Sequence, residues 1–162
     1  MQIAVMSDSH GRCAAVEKAL EILQSRNINY VLHCGDIDDA DTVWLFQGFT
    51  AHFVFGNCDA GQALAIQQAV HGIGANLHRP FGELELVGAK MAFLHGDDER
   101  LLRQLERCDE YDFLFHGHTH QAMERRSGRT RVINPGALHR ANPKSFIILD
   151  LPDGAIERIT VD

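Results

Sequence analysis

Five short apolar runs, each closing on a small residue with a metal-type donor beside it, constrain this chain more than any other feature. "IAVMSDSH" ends on Asp8 and His10, "YVLHCGD" on Asp36, "HFVFGN" on Asn57, "KMAFLHGD" on His95, and "FLFHGHTH" on His118 and His120. The runs are three to five residues long and rich in Val, Leu and Phe, so they read as strands. Helical patterns at 13–25, 42–48, 61–71 and 98–107 follow the first four, and this alternation predicts a mostly parallel sheet with helices on its faces. Ligands of such sheets bind at the carboxyl ends of the strands, where loops converge while the strands stay rigid. The seven donors are therefore expected to meet. Asp8 with His10, and His118 with His120, stand at i, i+2, a spacing that projects both side chains to one side of an extended segment.

At 162 residues and 45% hydrophobic, the chain can bury a sizeable core, and a single domain over 1–162 is expected. After His120 the pattern changes to antiparallel hairpins: "QAMERR-SG-RTRVIN" and "SFIILDL-PDG-AIERITV", with "FGELELV-GA-KMAFL" as an earlier one. No apolar run approaches membrane-spanning length, and Met1 leads directly into a strand-like segment, so neither secretion nor a membrane partner is expected. Cys13, Cys34, Cys58 and Cys108 form no CxxC pair, which fits a reducing, cytoplasmic location. A formal charge of −7 argues against a nucleic-acid polymer as partner, since a polyanion would be repelled. The charge is uneven: residues 121–144, with Arg125, Arg126, Arg129 and Arg131 in one hairpin, carry +5 against −12 elsewhere. A solvated hairpin face is the plain reading, and a phosphate-steering rim or a subunit contact the alternative.

The donor set of imidazoles, two carboxylates and one amide exceeds one tetrahedral zinc site and suits two ions. Two divalent ions bring more positive charge than Asp8 and Asp36 return, so the site favours an anionic substrate. Ions about 3.5–4 Å apart can activate water between them and clamp phosphate oxygens during in-line attack.

"DSH", "GD", "GNCD", "HGD" and "GHTH", in that order across almost the whole chain, resemble the calcineurin-like metallophosphoesterase superfamily. The resemblance is greatest to its small YfcE-like phosphodiesterase branch, and "NPGAL" at 134–138 is similar to a turn of that branch. It implies an α/β fold, a four-layer αββα sandwich of two mixed sheets flanked by helices, and hydrolysis of a small phosphodiester by a metal-bridging hydroxide. It assigns Asp8, His10 and His120 to one metal, Asn57, His95 and His118 to the other, and Asp36 to both. Asp36, Asn57, His95, Cys58 and Asp59 then form the catalytic group, and Mn2+ is the metal it suggests, with Fe, Zn, Ni or Co also accepted by such ligands. A homodimer or tetramer stays open.

Two positions depart from the superfamily pattern. Cys58 stands where many members have a histidine thought to protonate the leaving group, and a thiol is a poorer proton donor than imidazole. Asp97 replaces another imidazole on the substrate side, and a solvent-facing loop acid is as good a reading of it as a functional one. His116 is read as a strand or supporting residue, His33 and Cys34 as core, and His52, His71 and His78 as surface. "DDAD" at 38–41 is read as a solvated loop and helix start, "TVWLFQGF" at 42–49 as core or subunit contact, and His139 and Arg140 as able to turn back toward phosphate. The competing functions are a phosphatase of monoesters or dinucleoside polyphosphates, and a binding scaffold like the retromer subunit of this fold.

Overall fold

A computed structural model describes residues 1–161. Its elements run β1 (Gln2–Met6), α1 (Cys13–Ser25), β2 (Tyr30–His33), α2 (Ala40–Trp44), β3 (Thr50–Val54), a 3-10 turn (Asn57–Gln62), α3 (Ala63–Gly72), β4 (Asn76–His78), β5 (Gly82–Leu86), β6 (Ala89–Phe93), α4 (Glu99–Arg107), β7 (Phe113–Phe115), β8 (Met123–Ser127), β9 (Thr130–Asn134), β10 (Ser145–Asp150) and β11 (Ala155–Thr160). They form a six-stranded sheet, β11-β10-β1-β2-β3-β4, and a five-stranded sheet, β5-β6-β7-β9-β8.

Both sheets are mixed. In the first, β1 to β4 are parallel and β10 enters antiparallel beside β1; in the second, β6, β7 and β9 are parallel between antiparallel β5 and β8. β1 is apolar from Ile3 to Met6 because both of its faces are covered there. Ala4 and Met6 pack toward α1, α2 and α3 with Val16, Leu23, Phe46 and Ile66, while Ile3 and Val5 meet Met91, Phe93, Phe115 and Ile133 of the other sheet. A third cluster, with Ala92, Leu94, Leu114 and Val132, lies under Leu105 of α4. The layers are thus helix, sheet, sheet, helix, the architecture that the resemblance implies. α1 buries Ala15, Val16, Ala19, Leu20 and Leu23, a stripe of helical period against the first sheet.

Several local expectations shift. The helix expected at 42–48 is α2, ending at Trp44, and "TVWLFQGF" divides: Phe46 is fully buried while Trp44 is 45% exposed. The β5–β6 turn is Val87-Gly88, both at positive φ, rather than Gly88-Ala89, and the β8–β9 turn is Gly128-Arg129 rather than Ser127-Gly128. In each case the register keeps the apolar side chains on the covered face, which a one-residue slip would reverse. The Arg-rich hairpin points its turn away from the donor-bearing strand ends, and Arg125, Arg129 and Arg131 pair with Glu106, Asp112 and Glu124. That hairpin is no rim of the site.

The largest correction concerns His52, which is buried rather than on the surface, and His78, which is half-buried beside it. β4 was not anticipated, and its pairing with β3 brings His78 Nε2 to 2.9 Å from His52 Nδ1, while His52 Nε2 lies 2.8 Å from the Tyr30 hydroxyl. The run is satisfied when Tyr30 donates to His52 and His52 donates to His78, with both imidazoles neutral. Burial, with His78 beside it, lowers His52 to about 4, and burial lowers His33 to about 3. Both folded values lie below the ordinary 6.5, so the unfolded chain binds these protons first and stability is lost as pH falls from 6.5 toward 4. For His52 alone the loss between pH 7 and pH 5 is about 2 kcal/mol. Urea unfolding of chelator-treated protein should show that decline in the wild type and a shallower one in His52→Gln; parallel pH profiles would remove His52 from this account.

Candidate metal centre

The strand ends that carry the donors all lie at one edge of the sandwich. Backbone hydrogen bonds continue past the strands and lock the loops together: Asp8 N–H to the Gly35 carbonyl (3.0 Å), His10 N–H to that of Asp36 (3.0 Å), Gly117 N–H to that of His95 (2.8 Å), and Leu138 N–H to that of Ser7 (3.2 Å). The i, i+2 pairs are not extended. Asp8, His10, Asp36, His118 and His120 all have positive φ, between 46° and 67°, a region that side-chain-bearing residues avoid. Each donor is turned out of its strand by a left-handed residue, which costs roughly 1–3 kcal/mol and is sustained by the packing around it. Gly117 is required between them, since a Cβ there would strike the Ser7 hydroxyl and lie 2.5 Å from an Asp8 carboxylate oxygen.

Asp36 is central. Its Oδ1 accepts from the Cys58 amide at 2.9 Å, which aims Oδ2 at His10 Nε2 (3.5 Å) and His95 Nε2 (3.3 Å). Asp8 Oδ1 lies 3.3 Å from His120 Nε2, and His120 Nε2 lies 3.3 Å from His10 Nε2. His95 Nε2 is 3.1 Å from Asn57 Oδ1. Asp8 with His10 and His120, and Asp8 with Asp36 and His95, each bring ligand atoms within 4.8 Å of one another. The His118 imidazole is exposed and stands outside these groups, its ring 5.1 Å from that of His95, while its amide holds the Asp8 carboxylate.

This arrangement fits cations. His10 Nδ1 lies 3.1 Å from Asp38 Oδ2, so the proton resides there and Nε2 presents a lone pair. His95 Nδ1 likewise donates to the Cys34 carbonyl at 2.9 Å. Lone pairs of His10 and His95 therefore face the oxygens of Asp36 and Asn57 with no donor between them, an arrangement that a positive ion relieves. The protein without ions answers with a proton instead. Burial opposes charge on His95, but the hydrogen bond and charge of Asp36 outweigh it and raise His95 to about 9. Burial likewise pushes Asp36 up, yet the contacts of His95 and the Cys58 amide hold it well below the usual carboxylate range. Asp8 is raised by burial.

Three residues have roles that the sequence did not disclose. Asp38, read as part of a solvated loop, orients His10, as carboxylates often orient metal-binding imidazoles. Asp59, expected in the catalytic group, is fully buried with its carboxylate accepting from the amides of Ile37 (2.8 Å), Asp38 (2.8 Å) and Gly56 (2.7 Å). It clamps the loops of Asp36 and Asn57 together and offers nothing to a substrate. Asn134 of "NPG" donates to the Gly117 carbonyl (2.9 Å) and the Thr119 hydroxyl (3.0 Å), bracing the loop of His118 and His120. Only the sequence position of "NPG" hinted at this. Cys58 is exposed at the mouth, and desolvation and the charge of Asp36 raise its thiol to about 11. His116 is buried, as expected, and the His139 ring lies 5.5 Å from that of His10.

Known proteins carry the same framework. A phosphodiesterase of Methanocaldococcus jannaschii is 30% identical over 139 residues, covering 84% of this chain and 83% of its own. A solved archaeal phosphodiesterase superposes with a TM-score of 0.88 at 25% identity, over 99% of this chain and 100% of the other. YfcE, a phosphoesterase from E. coli, gives 0.72 at 21% identity with full coverage of both chains, and zinc-complexed vacuolar protein sorting 29 from Entamoeba histolytica gives 0.65 at 19%, over 100% and 99%. The calcineurin-like phosphoesterase superfamily domain matches residues 1–154, and with the donor-bearing strand ends in place, the chain belongs to that family.

Proposed function

We propose that the protein is a dinuclear-metal phosphodiesterase acting on small phosphodiesters. The observation that carries this reading is the convergence of the His10 and His95 imidazoles on a single oxygen of Asp36, with Asn57 Oδ1 against the same His95 nitrogen, between two groups of donors. Asp8, His10 and His120 would hold one ion, Asn57, His95 and His118 the other, and Asp36 both. Bound there, divalent ions, Mn2+ first and Fe, Zn, Ni or Co as alternatives, would lower the pKa of the attacking water and neutralise charge on the phosphoryl oxygens. The chain's own part is to fix that geometry. Cys58 N–H pins Asp36, the Cys34 carbonyl and Asp38 fix the tautomers of His95 and His10, and Asp59 holds the two central loops in register.

Relatives named as phosphodiesterases support the diester as substrate. The raised thiol of Cys58 is a poor proton donor, so it favours esters whose leaving group departs without protonation, monoester and diester alike. The likeness to vacuolar protein sorting 29 lies in the fold, and all seven donors of the chain favour turnover over a scaffold. No helix among the described residues is long and apolar enough to cross a membrane, and a cytoplasmic place agrees with four free cysteines.

Three outcomes test this reading. Chelator-stripped protein should hydrolyse bis(p-nitrophenyl) phosphate only when Mn2+ or another divalent metal is restored, and Asp36→Asn should lower kcat/KM by about 100-fold or more; metal-independent turnover would refute it. Asp38→Asn should weaken metal affinity by about 10- to 100-fold in a competitive-chelator titration, since the amide can donate to His10 and invert its tautomer. Cys58→His should raise hydrolysis of diphenyl phosphate, whose more basic phenolate needs a proton, relative to bis(p-nitrophenyl) phosphate by about tenfold or more, and an unchanged ratio would remove Cys58 from the choice of leaving group.

A further inference from the structure

Beside the metal centre opens a cleft of about 510 Å³, lined by Phe55, Gly56, His78, Arg79, Pro80 and Asp97. Its position is set by the donors. Gly56 immediately precedes Asn57, and Asp97 stands two residues after His95, so a phosphorus atom held at Asn57 and His95 has this cleft as its neighbour. The walls are chemically distinct. The Arg79 guanidinium lies over the Phe55 ring, 4.1 Å from its centroid, and is tethered by a 3.3 Å hydrogen bond to Gln67 Oε1, giving a flat, cationic surface. Asp97 contributes an exposed carboxylate that makes no ion pair or side-chain hydrogen bond among the described residues, with Arg79 or with any other group.

We infer that this cleft receives one ester arm of the substrate and that the arm is a planar ring bearing N–H donors, as a nucleobase does; the inference rests on the diesterase reading above. The two walls exclude simpler arms. A cationic headgroup would be drawn by Asp97 but repelled by Arg79, and a second phosphate would meet the reverse. An alkyl chain would leave both charges unused. A flat ring stacks on the Arg79 plane and offers edge N–H groups to Asp97, which can only accept. Guanine suits this best, because its adjacent ring and exocyclic N–H donors match the two oxygens of a carboxylate.

The test compares arms on a common leaving group: kcat/KM for guanosine 5′-(4-nitrophenyl) phosphate against methyl 4-nitrophenyl phosphate, with Mn2+. Calorimetric Kd values for guanosine 5′-monophosphate against ribose 5-phosphate supply a readout independent of turnover. Both ratios should favour the base by about tenfold or more, as stacking on such a surface allows. They should fall below about threefold in Arg79→Ala and, separately, in Asp97→Asn. Ratios near one in the wild type, or wild-type ratios kept by both variants, would overturn the inference while diester turnover continued. Failure to turn over even the methyl ester would overturn the diesterase reading, and the Kd ratio would still decide whether the cleft takes a base.

Discussion

The split coordination of the Asp36 carboxylate is the constraint on which the rest of the molecule depends. One oxygen is fixed by the amide of Cys58, and the other is thereby left between imidazoles that arrive from different sheets. For this to hold, the ends of β1, β2 and β3 must meet the end of β6 to within a hydrogen-bond length. The sandwich provides that by packing Ile3, Val5 and Leu32 of one sheet against Met91, Phe93 and Phe115 of the other. Close packing of these faces leaves little freedom for the sheets to slide, so the core sets the distance between donors that no single strand could set. Asp59 carries the same constraint into the loops by holding Ile37, Asp38 and Gly56 with one buried carboxylate.

What the sequence made legible was whatever is local. Strand ends and their donors were readable because an apolar run followed by a polar residue needs no partner to be recognised. α1 and α4 were readable from their periodicity, whereas the capping of α4 by Asp98, whose carboxylate accepts from the Arg100 and Leu101 amides, was not read. Residues whose meaning depends on a distant partner were not. His52 and His78 sit 26 residues apart and become a hydrogen-bonded chain only through a three-residue strand too short to leave a pattern. Asp38 looked like one acid among several because its partner, His10, lies 28 residues away. The left-handed conformations of five donors leave no trace in composition, since Asp and His adopt them only where surrounding contacts require it.

The same distinction explains why "GNCD" divides as it does. Asn57 faces the site, Cys58 contributes its amide to Asp36 and its thiol to the mouth, and Asp59 turns inward to bind backbone. Three adjacent residues thus serve as donor, clamp and brace because the chain there is a 3-10 turn, in which successive side chains point about 120° apart. In an extended segment Asn57 and Asp59 would have shared a face, and the brace would have been lost.

The electrostatics give the site its direction. Asp8 and Asp36 are both deeply buried, and their burial is costly unless positive charge lies nearby. In the ion-free protein one proton on His95 partly meets that need. Cations bound there would displace that proton and so would bind more tightly as pH rises, while the oriented lone pairs of His10 and His95 would need no rearrangement to receive them. Since the unfolded chain cannot assemble donors from five strand ends, the free energy of ion binding would add to that of folding. The strain of the left-handed residues is offset by the core that fixes the loops, and bound ions would offset it a second time.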